Sequence, residues 1–211
     1  MDISQTMKIL VQNLQKRDSL ATELFEEHDP DVMLLQEINI HSETHSFPAS
    51  NISSMGYGTA IGSKFEATDI KYIQSPYSEF GGIIHKKTTI ATVNTIQFVS
   101  FHGYNGQPFK KKFKLVAHIE AVLAELTPTG PAVFAGDFNT WSKEHLEAVT
   151  VKLESVGFHL AYSWPYPGRE DALDHAFLRG MELQSSKNYV CASDHRGAIL
   201  ELRLIVDGTS S

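Results

Sequence analysis

Short apolar runs and one helical apolar stripe alternate in the first part of the chain. The runs from Met7 to Asn13 and from Val32 to Leu35 are bounded by polar residues and predict two buried strands. Between these runs, Leu20, Leu24 and His28 recur every four residues, which is the spacing of one face of a helix. A strand, a helix and a second strand in this order predict a βαβ unit, with the two strands as neighbours in one sheet.

The middle of the chain predicts a long loop, several short strands and one long helix. Residues 39–58 are rich in Ser, His and Asn, and they predict the loop. Enrichment in Thr, Ile, Val and Tyr predicts strands at 57–62, 69–73, 82–85, 89–94 and 96–101. A helix is predicted over 109–126, with an inner stripe formed by Phe113, Val116, Ile119, Leu123 and Leu126.

The last third of the chain predicts three strands, a helix and an aromatic loop. The strands are expected at 132–135, 173–178 and 197–205. Ser142 is predicted to cap a helix whose inner face is formed by Leu146, Val149, Leu153 and Val156. Residues 163–171 include Trp164 and Tyr166 among prolines and a glycine, which is typical of a loop.

The order of these elements favours an α/β fold. Helices separate some strands and turns separate others, so we expect a four-layered sandwich of two packed mixed β-sheets flanked by helices. The 211 residues are enough for one core. We therefore predict a single domain over residues 7–206, an N-terminal extension over 1–6 and a flexible tail over 207–211.

The net charge and the distribution of lysines limit the kinds of partner that the protein is expected to bind. The formal net charge is −7, and the clearest basic cluster is Lys110, Lys111, Lys112 and Lys114. Proteins that grip long duplex DNA through counterion release usually carry a basic face, so a broad, unspecific DNA grip is disfavoured. Nucleic acid as a substrate is not excluded, because a bound metal ion offsets local acidic charge.

The sequence also predicts a compartment. The N-terminus lacks a basic segment followed by an apolar stretch, and no run approaches the roughly 18 apolar residues of a spanning helix. Cys191 is the single cysteine, so there is no intramolecular disulfide partner, and we interpret it as a small core residue. We expect a cytoplasmic protein without a membrane span, and a monomer by default.

Polar residues gather at the predicted strand ends. They are Asn13, Glu37, His102, Asp137, Asn139, Asp174, Asp194 and His195. Each taken alone has an ordinary structural explanation, such as a turn, a cap or a buried histidine. In layered α/β folds, however, polar groups at strand ends converge on one rim, and the joint occurrence predicts a site there.

The residue types indicate the chemistry of that site. Carboxylates and an amide suit a hard cation such as Mg²⁺, with Mn²⁺ as an alternative, whereas zinc favours closely spaced His and Cys residues. A metal ion, a carboxylate base and a histidine are the groups needed to cleave a phosphoester by in-line attack of water. The sequence therefore predicts a divalent-metal-dependent phosphoester hydrolase.

Five motifs in this order resemble those of the endonuclease/exonuclease/phosphatase superfamily, which has the deoxyribonuclease-I-like fold. The motifs are Gln12-Asn13, Pro30-Asp31-Val32 to Gln36-Glu37, Gly136-Asp-Phe-Asn139, Leu173-Asp-His175 and Ser193-Asp-His195. The resemblance runs from residue 7 to residue 205, and it is greatest to small bacterial members. Two positions depart from the pattern: Gln12 stands where many members have Trp, and Gln15 where some have an acidic metal ligand.

The resemblance implies a metal site and a base. Glu37 is similar to the principal metal ligand, helped by Asn13 and Asp194. Asp137 resembles the residue that orients or deprotonates the attacking water, and Asn139 the residue that binds a phosphate oxygen.

It also implies roles for three further residues. His195 resembles the histidine that contacts the scissile phosphate. Asp174 would hydrogen-bond His195, which fixes its tautomer and keeps it cationic. His102 matches a histidine that binds phosphate or assists the leaving group.

Three local features favour a nucleic acid substrate, and each has a plain structural alternative. The lysines at 110–114 can follow a phosphate backbone or form a solvated first helical turn. Trp164 or Tyr166 can stack on a nucleotide or pack within its own loop. Arg196 can reach a substrate phosphate or pair with a carboxylate.

We therefore expect a nuclease acting on DNA or RNA. One alternative is a phosphatase or phosphodiesterase acting on a small-molecule or lipid phosphoester, although the apolar run at 80–84 is short for contact with a membrane. A second alternative is an inactive binding module.

Overall fold

The computed structural model describes residues 6–39, 47, 49–51, 55–105, 111–169 and 171–205. In these ranges the first half of the chain forms β1 (Met7–Asn13), α1 (Ser19–His28), β2 (Val32–Ile38), β3 (Ala49–Asn51), β4 (Gly58–Ser63), β5 (Ala67–Gln74), β6 (Lys87–Val93) and β7 (Ile96–His102). The second half forms α2 (Lys112–Leu123), β8 (Ala132–Asp137), α3 (Lys143–Glu154), β9 (His159–Trp164), β10 (Asp174–Arg179), β11 (Met181–Tyr189) and β12 (Gly197–Leu204).

The strands form two six-stranded mixed sheets of the same design. The first sheet has the order β11-β12-β1-β2-β4-β3, and the second has the order β5-β6-β7-β8-β10-β9. In each sheet the two central strands are parallel, β1 with β2 and β7 with β8, and every other pairing is antiparallel. Each parallel pair is connected through a helix, α1 or α2, as parallel neighbours require.

The two sheets pack against each other, and the helices cover their outer faces. The core between the sheets contains Val11 and Leu34 from the first sheet and Val133 and Ala176 from the second. On the outer faces, Leu20 and Leu24 of α1 pack against the first sheet, and the second sheet is covered by α2 and α3 through Leu115, Ile119, Val149 and Leu153. The predicted four-layered α/β sandwich is confirmed.

A buried polar bridge also crosses between the sheets. Gln36 Nε2 donates to Ser100 Oγ at 3.0 Å, and the Ser100 hydroxyl donates to the carbonyl oxygen of Leu35 at 2.8 Å. Because buried polar groups are costly when unpaired, this bridge favours one alignment of the two sheets over a slipped one.

Several local predictions were wrong for identifiable reasons. The strand expected at 82–85 is absent there. A short 3-10 helix over Phe80–Gly82 lies between Glu79 and Ile84, and these two residues form an isolated antiparallel bridge. Phe113, expected on the inner stripe of α2, is 54% exposed because the buried face of the helix is formed by Leu115, His118, Ile119 and Val122. Val156, expected on the inner face of α3, lies beyond its end and is 37% exposed.

Three strands were not predicted. β9 shares its last two residues with the expected aromatic loop at 163–171, and β3 lies within the expected loop at 39–58. β11 is an edge strand with exposed residues along most of its length, so it lacks the apolar alternation that would indicate a strand. Residues 1–5, 40–46, 48, 52–54, 106–110, 170 and 206–211 lie outside the described residues, and these include Lys110 and the predicted tail.

Cys191 is partly buried and donates from Sγ to Gln12 Oε1 at 3.3 Å, so it packs beside β1. Among the described helices, none is both long and apolar enough to cross a membrane.

Candidate active site

The ends of the four central strands meet at one rim of the sandwich. Asn13 ends β1, Glu37 lies next to the end of β2, His102 ends β7 and Asp137 ends β8. Asn13 Nδ2 donates to Asp137 Oδ2 at 3.1 Å, and this contact joins the two sheets directly. The convergence expected from the strand-end pattern is therefore present for these residues.

Glu37 lies on unusual backbone. Its φ is +54°, in the left-handed region, and the pairing of β2 with β4 has a bulge between Gln36 and Ile38. The carbonyl oxygen of Glu37 accepts from the backbone N–H of Lys16 at 2.9 Å, which holds the turn after β1 against the end of β2. A bulge changes the direction of a side chain, and Glu37 keeps 19% of its side chain exposed beside buried neighbours.

The Gly-Asp-Phe-Asn turn after β8 is tightly constrained. Gly136 has φ +141°, and a Cβ there would collide with the carbonyl oxygen of Phe101. Asp137 Oδ1 accepts from the backbone N–H of Asn139 at 2.9 Å, and Asn139 Nδ2 donates to the carbonyl oxygen of Gly103 at 3.1 Å. Asn139 itself has φ +55°, a region that Asn tolerates better than most residues.

Asp137 is the centre of the arrangement. Its Oδ2 atom lies 3.8 Å from His195 Nε2 and 3.8 Å from His102 Nε2. Both distances exceed a direct hydrogen bond, so neither Nε2 atom is hydrogen-bonded to Asp137. Asp137 is itself buried, so these neighbours act on it in a low-dielectric environment.

His195 and Asp174 form a buried pair beside Asp137. His195 Nδ1 lies 2.8 Å from Asp174 Oδ2, and Asp174 begins β10 directly opposite Asp137 in the antiparallel register. The loop carrying His195 is held to β1, because the Ser193 hydroxyl donates to the carbonyl oxygen of Asn13 at 2.6 Å.

The pair carries both charges at neutral pH. Burial lowers the pKa of His195, but the carboxylates of Asp174 and Asp137 outweigh it and raise that pKa to about 10. Burial raises the pKa of Asp174 to about 6, against the opposing effect of the His195 charge. At pH 7 the histidine is therefore an imidazolium and the aspartate a carboxylate.

The donor set on the rim suits a divalent cation. Asp137, Asp174 and His195 each offer a ligand atom, and these atoms lie within 4.8 Å of one another. Since Asp174 and His195 are bonded to each other, the carboxylate of Glu37 is the neighbouring oxygen donor for a cation beside Asp137. Asn13 presents its amide Nδ2 to Asp137, and its Oδ1 accepts from the backbone N–H of Gln15 at 3.0 Å. Burial raises the pKa of the Glu37 carboxyl, and the charge of Asp137 raises it further while Lys86 lowers it. Such crowded oxygen donors fit a hard cation.

Asp194 lies at the exposed edge of this site. The pKa of the Tyr166 hydroxyl is raised first by burial and then by the charge of the exposed Asp194 carboxylate nearby. The Tyr166 ring lies edge-on to His195, with 4.8 Å between ring centroids. Of the two aromatics singled out in the sequence, Tyr166 is the one at the site.

Trp164 is placed differently from the prediction. Its side chain is 1% exposed at the end of β9, and its Nε1 donates to the carbonyl oxygen of Arg196 at 3.0 Å. The prediction that it stacks on a nucleotide is wrong, because the indole fills the core between the sheets. Arg196 donates from Nη1 to Asn188 Oδ1 of β11 at 3.2 Å, which is the described contact of its guanidinium.

Lys86 was missed by the sequence reasoning. It lies just before β6, is only 3% exposed, and places Nζ 2.6 Å from His102 Nε2. An ammonium only donates, so His102 Nε2 is the acceptor and the imidazole is neutral. Burial and then the charge of Lys86 hold the pKa of His102 well below its usual value. A lysine followed by Lys87 at a strand start is typical of an exposed position, so no local signal identified it.

A second buried histidine supports the turn that carries Asn139. The Thr140 hydroxyl donates to the carbonyl oxygen of Ala172 at 2.9 Å, so His175 Nε2 donates to Thr140 Oγ1 at 2.6 Å. His175 Nδ1 then accepts from Ser163 Oγ at 2.7 Å. Burial lowers the pKa of His175 to about 3, which agrees with a neutral ring.

The fold is that of a family whose members are phosphoester hydrolases. The profile of the Endonuclease/Exonuclease/phosphatase family matches residues 11–195, and the chain belongs to that family. The matched range includes each of the motifs named above from Asn13 to His195.

Relatives of the chain include proteins from Vibrio species. A UPF0294 protein of Vibrio vulnificus (strain YJ016) is 40% identical over 83 residues, which cover 37% of this chain and 29% of the relative. The matched part thus spans less than a third of that relative's length. A UPF0294 protein of Vibrio cholerae (strain ATCC 39541) is 26% identical over 97% of this chain and 80% of its own length.

Solved structures share the fold. A 3' phosphatase, NExo, from Neisseria bound to a product DNA hairpin superimposes with a TM-score of 0.68 at 18% sequence identity. The match covers 92% of this chain and 98% of that one. At this identity the similarity establishes the common fold.

Proposed function

We propose that the protein is a divalent-metal-dependent phosphodiester hydrolase, a nuclease that acts on DNA or RNA by in-line attack of water. The observation that carries the proposal is the position of Asp137. Its Oδ2 lies 3.1 Å from Asn13 Nδ2 and 3.8 Å from Nε2 of the cationic His195. A buried carboxylate base and a fixed imidazolium are thus directed at the same small volume, as a phosphoryl-transfer site requires.

The residues divide the chemistry among them. Asp137 accepts a proton from the attacking water while the water oxygen bonds to phosphorus. The bond to the leaving oxygen breaks, and that oxygen keeps the electron pair and takes a proton from solvent. His195 donates a hydrogen bond from Nε2 to a phosphoryl oxygen, where negative charge develops, and Asp174 keeps His195 cationic through the 2.8 Å bond to Nδ1. Asn139, anchored to Asp137 through its backbone N–H, binds a second phosphate oxygen.

Glu37 is the principal ligand of the cation, with Asn13 and Asp194 assisting. Mg²⁺ fits this oxygen-rich set, with Mn²⁺ as the alternative. When bound, the cation supplies a Lewis acid that polarises the phosphoryl group and lowers the pKa of bound water. The bulge at Glu37 and the position of its Oε1, 3.7 Å from His102 Nε2 on the rim that carries Asp137, support this assignment.

A basic aromatic surface beside the rim favours nucleic acid as the substrate. We call it the rim surface and define it as Tyr77, Tyr104, Phe113 and Lys114. Tyr77 and Phe113 are exposed and meet edge-on at 5.5 Å, and Lys114 Nζ lies 5.3 Å from the ring centres of both Tyr77 and Tyr104.

The rim surface is continuous with the site. Tyr104 follows Gly103, whose carbonyl oxygen accepts from Asn139. Exposed Lys111 and Lys112 extend the positive charge. Aromatic rings that stack on bases beside lysines that meet phosphates are the usual elements of single-strand binding. The DNA bound by the Neisseria phosphatase of the same fold is a further reason to test DNA first.

The direct test is a cleavage screen with the purified protein and Asp137→Asn as the blank. Single- and double-stranded DNA, RNA, bis-nitrophenyl phosphate and lipid headgroups are each incubated with Mg²⁺, with Mn²⁺ and with EDTA. We expect turnover of nucleic acid that EDTA and Asp137→Asn both abolish. Turnover of only lipid or small-molecule phosphoesters would replace the nuclease with a phosphatase, and no turnover of any substrate would favour the inactive binding module.

A further inference from the structure

Lys86 carries a buried positive charge that the proposed roles do not use. Its ammonium donates to His102 Nε2 at 2.6 Å and lies 4.7 Å from the centre of the Tyr57 ring. Within the part of the chain that the structure describes, no carboxylate oxygen lies within 4.0 Å of Nζ. A buried ammonium usually has a close anionic partner, because its desolvation is otherwise uncompensated.

The position of this charge points toward the reacting group. His102 Nε2, which accepts from Lys86, lies 3.7 Å from Glu37 Oε1 and 3.8 Å from Asp137 Oδ2. Lys86 is therefore connected through His102 to Glu37 and to Asp137, and Asp137 Oδ2 is also 3.8 Å from His195 Nε2. His102 uses one of the three N–H groups of the ammonium, and the Tyr57 ring faces another part of it. The ammonium therefore retains N–H groups that can donate to a bound ligand.

We propose that Lys86 is a catalytic residue that binds a non-bridging oxygen of the scissile phosphate, opposite His195. The substrate then supplies the anionic partner that the described residues do not. His102 becomes a positioning residue: it is neutral and fully buried, and its Nε2 lone pair fixes the direction of the ammonium. In this proposal Lys86, and not His102, makes the phosphate contact that the sequence predicts for His102. This inference rests on the proposed phosphodiester hydrolysis.

A purely structural role makes a different prediction. If Lys86 only balances the charge of Glu37, its removal would change cation affinity and stability but not the affinity for phosphate. If Lys86 binds phosphate, its removal weakens phosphate binding even when no cation is present. Phosphate binding by the metal-free protein therefore separates the two roles.

The experiment is calorimetric titration of inorganic phosphate into the protein in EDTA. We expect Lys86→Met to bind phosphate at least tenfold more weakly than the wild type and Lys86→Arg to keep most of the affinity. Lys87→Met is the matched control: its neighbouring ammonium lies near the surface and donates to Gln74 Oε1 at 2.8 Å. Wild-type affinity in Lys86→Met, or no binding by the wild type itself, would overturn the proposal.

A measurement on the unmodified protein guards against a variant that does not fold. In protein labelled with ¹⁵N at lysine side chains, addition of phosphate should shift the ammonium signal of Lys86 and leave that of Lys87 in place. An unchanged Lys86 signal at saturating phosphate would contradict the inference. Neither readout requires turnover. The proposed role of Lys86 can therefore be refuted while the proposed hydrolytic activity is retained, and the hydrolytic activity can be refuted while phosphate binding by Lys86 is retained.

Discussion

Asp174 holds His195 by a single buried hydrogen bond, with 2.8 Å between Oδ2 and Nδ1. Because Nδ1 is occupied, the proton on Nε2 is the one presented to Asp137 and to a substrate oxygen. Asp174 thus determines both the tautomer and the charge of His195 without touching the substrate. Removing this carboxylate should change how the site responds to pH.

Asp174→Asn should move the alkaline limb of the activity profile to lower pH. In the wild type the pKa of His195 is raised to about 10, so the imidazolium persists up to that pH and is lost above it. Without the carboxylate, burial dominates and lowers the pKa, so the cation is lost earlier. Rates measured between pH 5 and 11 check this, with exposed Asp69→Asn as the control. An alkaline limb still near pH 10 in Asp174→Asn would show that Asp174 does not hold the charge.

The same pair affects stability with a defined sign. A histidine whose pKa is raised on folding contributes stability that is complete below its unfolded value of about 6.5. The contribution is then lost as pH rises toward 10. The free energy of unfolding of the wild type should therefore fall between pH 7 and 10 more steeply than that of His195→Gln, as urea titrations at each pH would reveal. Parallel curves for the two proteins would exclude this linkage.

Glu37→Gln should abolish the response to metal and stabilise the metal-free protein. The raised pKa of Glu37 means that its charge is disfavoured in the folded state, so a neutral amide relieves a cost at pH 7. We expect a melting temperature about 2 °C or more above that of the wild type in EDTA. We also expect no further rise with Mg²⁺ or Mn²⁺. A wild-type metal response in Glu37→Gln, with unchanged activity, would remove Glu37 from the metal site.

Substitution of Trp164 should affect the stability of the fold, whereas substitution of Tyr166 should affect substrate binding. Trp164→Phe loses the bond to the Arg196 carbonyl and leaves a cavity, so it should destabilise the fold by about 1–3 kcal/mol. Tyr166→Ala should leave stability nearly unchanged but raise KM for nucleic acid, because the ring borders His195. Denaturant melts and steady-state kinetics distinguish the two. The assignment fails if Trp164→Phe is fully stable and Tyr166→Ala retains its KM.

The rim surface should matter for polymeric substrates alone. The double variant Tyr77→Ala, Phe113→Ala removes the two exposed rings, and stacking on each base is worth about 1–3 kcal/mol. We expect KM for single-stranded DNA to rise tenfold or more, with little change for bis-nitrophenyl phosphate. Val151→Ala, an exposed apolar position on α3, is the control. Equal loss on both substrates would mean that the variant disturbs the site itself.

The sequence predicted the site residues that lie at the ends of strands. Asn13, Glu37 and Asp137 each follow or end an apolar run, so their strand-end position is readable from local pattern. The layered fold was predictable for the same reason. The bulge at Glu37 was not, since it depends on the pairing of β2 with β4.

Lys86 and Trp164 show where local pattern fails. Lys86 is buried only because the segment before β6 packs against the end of β7, a contact with no signature among its neighbours in the chain. Trp164 and Tyr166 are both aromatic residues of the same predicted loop, so the sequence does not distinguish them. The pairing of β9 with β10 directs the Trp164 side chain into the core. Which side of α2 is buried likewise depends on the sheet beneath it, as Phe113 demonstrates.

The division of the central strands between two sheets has a mechanical consequence. The base and the ligands that surround it belong to separate sheets, so their spacing is measured across the interior of the sandwich rather than along one sheet. Any change that lets the sheets slide or separate, such as a cavity at Val11 or Val133, alters the distance from Asn13 to Asp137. The packing of the hydrophobic interior therefore determines the distances between the reacting groups. Substitutions that weaken this packing should slow catalysis at temperatures well below the melting temperature.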